Sequence, residues 1–168
     1  MSKVLVVYGT GSGCTAGVAE RIGSALADGG ATVDVVSAKD SPDPTAYDAV
    51  VVGSGVRMSQ WHEPVRKWVA AKADVLKGKP AAFYTVNLTL ATEPERRAEI
   101  RAWTDPLIAE TGVKPIDVGV FAGWYEPKKL SFLERTIMGA MKAPQGDFRD
   151  WGAIDQWTRA LAPRLLEA

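Results

Sequence analysis

Six residues near the amino end, Thr10-Gly11-Ser12-Gly13-Cys14-Thr15, carry three hydroxyls, two glycines and no charge. Hydroxyls and glycine backbone N–H groups are all hydrogen-bond donors, and donors gathered at a helix start suit an anion. Which anion follows from what is missing. A nucleoside-triphosphate loop ends in Gly-Lys-Ser/Thr, whereas Gly13 is followed by Cys14 and Thr15 with no lysine. The dinucleotide fingerprint G-x-G-x-x-G fails in register, because Gly9 and Gly11 are followed by Gly13, one position early. One terminal phosphate, held by N–H and O–H donors without a basic side chain, is the chemistry that remains. The plainer alternative is an ordinary strand-to-helix turn capped at Ser12 or Thr15.

The flanking elements support a cradle. Val4-Leu5-Val6-Val7-Tyr8 is an apolar run without alternation, as expected of a strand covered on both faces. After the loop, Val18, Ile22, Ala25 and Leu26 recur at helical spacing, and Gly29-Gly30 stops the helix. Further strands are expected at Thr32–Val36, Ala49–Gly53, Ala81–Asn87 and Pro115–Gly123. Asp34 interrupts the second of the five strands, which marks it as a half-exposed edge, and is read as solvated. Helices are expected from Glu63 to about Ala73, from about Glu93 to Thr111 (Thr92 capping, Glu95 its capping-box partner) and from about Asp150 to Leu166. Strands alternating with helices give an α/β fold: a doubly wound five-stranded parallel sheet in three α/β/α layers, with order 2-1-3-4-5. Ligands in such sheets lie beyond the carboxyl ends of the strands, at the switch point between strands one and three.

Composition narrows the function. The 168 residues suit one domain. Twenty basic residues balance twenty acidic ones, so nothing favours nucleic acid. One cysteine and one histidine offer neither an internal disulfide nor a metal-ligand cluster, and no metal is expected. No apolar run approaches ~18 residues. A cytoplasmic setting is the default.

Two more loops converge on the expected crevice. The one after strand three carries Ser54, Gly55, Val56, Arg57, Met58, Trp61 and His62; the one after strand four carries Thr85, Val86, Asn87 and Leu88. A flat apolar ring would stack on Trp61 while backbone groups read its polar edge; the competing reading makes Trp61 an anchor for the helix behind it. Arg57 is a candidate for the ring edge or substrate, against a solvated surface charge. His62 is a candidate proton donor, against a cap on the helix at Glu63. Cys14 is expected to contribute its backbone N–H.

The loop Thr10 to Thr15 fits T-x-x-G-x-T and resembles the FMN phosphate site of flavodoxins. Three further segments resemble one flavodoxin-like branch, the menaquinone-dependent protoporphyrinogen IX dehydrogenases. They are Gly53-Ser54-Gly55-Val56-Arg57 with His62, Phe83-Tyr84-Thr85-Val86-Asn87-Leu88, and Gly146-Asp147-Phe148-Arg149-Asp150-Trp151. The resemblance implies non-covalent FMN held by the residues of the three loops, and electron transfer from a porphyrinogen through the flavin to a quinone. Gly11 departs from the larger residue usual in that branch, which leaves the deazaflavin F420 open as an alternative cofactor. The branch carries a basic, aromatic insertion, and the resemblance implies an inserted amphipathic segment at about 124–144 in this chain. Here Lys128, Lys129, Arg135 and Lys142 are diluted by Glu126 and Glu134, with Leu130, Leu133, Ile137 and Met141 on one helical face, widened by Phe132 and Met138. Core packing, a homodimer surface, a lid over the flavin and weak peripheral contact of 128–142 with the inner membrane face all stay open.

Three functions follow: an FMN-dependent oxidoreductase of the protoporphyrinogen or quinone type, with Trp124 and Tyr125 on the substrate side; an electron-carrier flavodoxin, disfavoured by the balanced charge; and a deazaflavin-dependent or regulatory member of the same fold.

Overall fold

The computed structural model describes residues 2–9, 13–125, 132–133, 136 and 146–166. Thr10, Gly11 and Ser12 lie outside the described residues. So do Lys128, Lys129, Arg135, Lys142, Glu126 and Glu134, and the apolar face of 130–141 apart from Phe132 and Leu133, which are exposed.

Five parallel strands form the sheet: β1 (Lys3–Gly9), β2 (Thr32–Ser37), β3 (Ala49–Arg57), β5 (Ala81–Asn87) and β6 (Val118–Ala122), in the spatial order β2-β1-β3-β5-β6. Counting parallel strands alone, this is the expected 2-1-3-4-5. The short β4 (Gln60–Trp61) folds back antiparallel on β3. The apolar run of β1 divides its side chains between two cores. Val4 and Val6 face α1 (Cys14–Asp28) and the final helix α6 (Trp151–Leu166). Leu5 and Val7 face α2 (Glu63–Leu76) and α5 (Asp105–Thr111). All four are fully buried, which is why the run shows no polar alternation. Asp34 is exposed on edge strand β2, where its carboxylate accepts from the Tyr47 hydroxyl at 2.6 Å. The other edge, β6, is covered: Arg97 and Arg101, one turn apart on α4 (Arg97–Ala102), donate to the carbonyls of Val120 and Val118.

One helix of the sequence reading is broken. The stretch 93–111 divides into a 3-10 turn at Pro94–Arg96, then α4 and α5, preceded by the single turn α3 (Thr89–Thr92). Pro94 forces Glu93 out of helical geometry, to φ −134° and ψ 65°. Pro106 has no N–H to continue α4 into α5. The expected capping box does not form; the Thr92 hydroxyl donates backward to the Thr89 carbonyl. The break turns Thr104 inward, a consequence for the site below.

The stretch Ser54 to His62 is also more regular than expected. β3 continues through Arg57, and a tight turn at Met58–Ser59 returns it as β4. Both turn residues are left-handed, at φ 52° and 64°, the geometry that matches the twist of a two-residue hairpin.

Candidate functional site

The carboxyl ends of β1, β3 and β5 lie level, because Gly9 pairs with Ser54 and Ser54 with Thr85. The start of α1, the β3–β4 hairpin and the end of β5 therefore meet on one side of the sheet. Gly13 caps α1 at φ 87°, a left-handed conformation that suits glycine, and among the described residues no side chain caps that helix. Cys14 and Thr15 follow, both buried.

Four buried polar atoms here have no hydrogen-bond partner: Thr15 Oγ1, Tyr84 Oη, Thr85 Oγ1 and Asn87 Nδ2. Buried polar groups are almost always paired, and an orphan costs about 1–3 kcal/mol. Asn87 shows the asymmetry within one side chain, since its Oδ1 accepts from the Leu90 N–H at 2.9 Å while its amide nitrogen has nothing. Thr15 Oγ1 sits on the first turn of α1, and Thr85 and Asn87 end β5. Of the two caps in the plainer reading of the first loop, Thr15 makes no cap bond, and Ser12 lies outside the described residues. Unsatisfied donors in two of the three converging loops are what a ligand with phosphoryl and amide-like acceptors would complete, so the residues present fit FMN.

Tyr84 is set deeper. Its ring lies across Gly53, its direct partner on β3, and its hydroxyl lies near Cys14 and Tyr8. Burial, with smaller contributions from Cys14 and Tyr8, pushes the phenol well above its ordinary value of 10.0. The neutral form is the one the fold holds. Its contribution to stability is complete below the unfolded value and is lost as pH rises past it. Tyr84→Phe is therefore expected to lose less stability than the parent between pH 8 and about pH 11, read as the shift in urea midpoint.

The remaining sequence candidates divide. His62 is half-buried, and its ring lies against Gly9, where an added Cβ would come within 3.2 Å of Cδ2. Its backbone N–H donates to Ser54 Oγ at 2.8 Å and to the Gly55 carbonyl. The residue occupies the N-cap position of α2, but its side chain makes no cap bond. Arg57 is exposed in the last strand pair before the turn, opposite Gln60, and Met58 is exposed at the tip. Gly55 follows Ser54 on β3; Val56 and Val86 give their side chains to the two cores, and Leu88 precedes α3.

Trp61 corrects an expectation. It is buried in the core beneath α2, edge-on to Phe83 at 5.4 Å between centroids, and its Nε1–H donates to Thr104 Oγ1 at 3.1 Å. The indole is spent on the anchor reading, not on a flat ligand. A residue the spacing did not assign to the loop stands nearer: Trp124, in the short β7 (Trp124–Tyr125), has Cζ2 within 3.9 Å of where a Cβ on Gly13 would lie. β7 pairs with β8 (Gly146–Asp147), and the Phe148 N–H donates to the Gly123 carbonyl. That pairing is long-range, and nothing in the local sequence signals it.

The flavodoxin domain family model matches residues 5–151. The chain belongs to the flavodoxin-domain family. Among curated members, a protoporphyrinogen IX dehydrogenase [quinone] of Escherichia coli (strain K12) is 28% identical over 177 residues, covering 95% of this chain and 94% of that protein. A protein of the same name from Leishmania major is 28% identical over 174 residues, covering 95% and 74%. Among solved structures, a short-chain flavodoxin associated with a non-canonical PDU bacterial microcompartment superposes with a TM-score of 0.61 at 15% identity, over 98% of this chain and 99% of that one. That level of identity speaks to the flavodoxin fold alone. No helix among the described residues is long and apolar enough to cross a membrane.

Proposed function

We propose that this flavodoxin-domain protein is an FMN-dependent oxidoreductase that takes electrons from a reduced small molecule of the porphyrinogen class and passes them to a quinone. The observation that carries the flavin half is the set of orphaned donors at Thr15, Thr85 and Asn87. The substrate half is supported by the two relatives' names and by their near-complete overlap with this chain.

When bound, FMN supplies two-electron redox chemistry, and the chain's residues bind and orient it. The Thr15 hydroxyl and the amides at the start of α1 donate to the phosphoryl group, aided by the helix dipole; Thr10, Gly11 and Ser12 belong to the same loop. Asn87 Nδ2 and the Thr85 hydroxyl donate to ring acceptors beyond β5, with Val86 and Leu88 alongside. Ser54, Gly55 and Val56 form the opposite strand end. Arg57 is exposed on that side and suited to a substrate carboxylate. His62, against Gly9, is placed to hold a proton near the ligand. The chain is one flavodoxin-like domain carrying 124–144 as an insertion.

The test is the absorption spectrum of the purified chain, followed by chromatography of the released chromophore. A flavin spectrum at one FMN per chain, bleached by a porphyrinogen and restored by a quinone, is the expected result. FMN-loaded protein inert to both would overturn the substrate assignment and leave the flavin. A released deazaflavin, or no flavin binding at all, would overturn the cofactor.

A further inference from the structure

Beyond the loops lies an arrangement with no assigned role. The Arg149 guanidinium carbon stands 4.1 Å from the ring centroid of Trp124 and 4.7 Å from that of Trp151. Asp147 grips it with both oxygens, accepting from Nε at 2.9 Å and from Nη2 at 2.6 Å. The stack continues: Arg21 lies 5.9 Å from the Trp151 ring and is held by both oxygens of Asp155, at 2.8 and 2.6 Å. Trp124, Arg149, Trp151 and Arg21 thus follow one another at cation–ring distances, with one carboxylate on each arginine.

Position gives this stack a consequence. Its far end is fastened to α1 and α6 through Arg21 and Asp155. Its near end, Trp124, lies against Gly13, the cap of α1. Nη1 of Arg149 passes directly over Gly17, one turn on, where a Cβ would lie 2.7 Å away. Only 11% of the Arg149 side chain is exposed, so the contacts are largely desolvated and each is worth more than at an open surface. A planar, delocalised cation can face two indoles while gripping a carboxylate in its own plane; an ammonium cannot.

We propose that Arg149 is a positioning residue for the phosphate end of the site: it holds Trp124 against the start of α1 and so fixes the cap from which the loop's donors are presented. The proposal rests on the FMN reading above. It couples the carboxyl-terminal segment 146–151 to phosphate recognition, although none of those residues needs to touch the ligand.

The test measures binding of FMN and of riboflavin, which lacks the phosphate, by fluorescence titration of the ligand-free protein. Arg149→Ala is expected to weaken FMN about tenfold and riboflavin less than twofold. Arg149→Lys should behave like Arg149→Ala, because charge without the plane does not hold Trp124. Gly17→Ala is the second variant. It favours the helix but puts a methyl group where Nη1 stands, and it should reproduce the selective loss in a folded chain. Near-UV circular dichroism should report altered tryptophan packing in all three. FMN affinity retained in Arg149→Ala and Gly17→Ala beside a wild type that binds FMN would overturn this proposal alone. So would retention in Arg149→Lys, or equal losses for the two ligands, which would mean general loosening. A wild type that binds FMN no better than riboflavin overturns the phosphate reading and this proposal with it.

Discussion

Gly53→Ala is expected to destabilise the chain by about 3 kcal/mol or more, near the upper end of overpacking costs. A Cβ at Gly53 would stand 1.8 Å from Tyr84 Cζ and 2.3 Å from both Cε atoms. These are the middle of a ring, not the end of a flexible chain. That ring is fully buried and also packs against Phe121 and Trp157, at 6.0 and 6.1 Å between centroids. It has no direction in which to yield. Registry explains the arrangement: Tyr8, Gly53, Tyr84 and Gly119 lie side by side across four strands, and the glycines give the aromatic rings room. Gly78→Ala serves as a control, since a Cβ there meets nothing closer than 3.6 Å. Urea unfolding of the two variants measures the contrast. A loss below about 1 kcal/mol in Gly53→Ala would contradict the packing described.

The second large effect is on binding. Thr15→Val keeps the shape of the side chain and removes its one hydroxyl. A hydrogen bond to a charged group is worth about 1.5–3 kcal/mol, so FMN should bind roughly 10- to 100-fold more weakly. Stability of the ligand-free chain should stay level or rise, because the hydroxyl is buried there without a partner. Opposite signs for binding and stability are the signature of a donor kept for a ligand. Thr15→Ser should retain most of the affinity. Titration of ligand-free protein with FMN, paired with urea unfolding, checks both halves. Unchanged FMN affinity in Thr15→Val would remove Thr15 from the site.

The sequence by itself determined the sheet and which loops meet at the candidate site. Unbroken apolar runs in β1, β3 and β5 are local signals of strands buried on both faces, and one Asp in β2 marked an edge. Helical spacing and glycine stops did the same for α1. Once the order of strands is known, topology carries three loops to one side, so the neighbourhood of Thr15, Ser54 and Thr85 was legible before any coordinate. Tertiary structure alone decided how individual side chains are spent. Trp61 has the composition of a ring-stacking residue, yet Pro106 breaks a helix far along the chain, turns Thr104 inward and gives the indole N–H a partner in the core. Tyr84 became the buried centre of one face because its cross-strand partner is a glycine. Arg149 stood in the sequence only as one member of the family-like segment Gly146 to Trp151. Its two indoles and its carboxylate come together only when β8 pairs with β7 and α6 packs on α1. Periodicity reports which face of an element is buried; it holds no record of which distant residue will be found there, and the chemistry of this site depends on that.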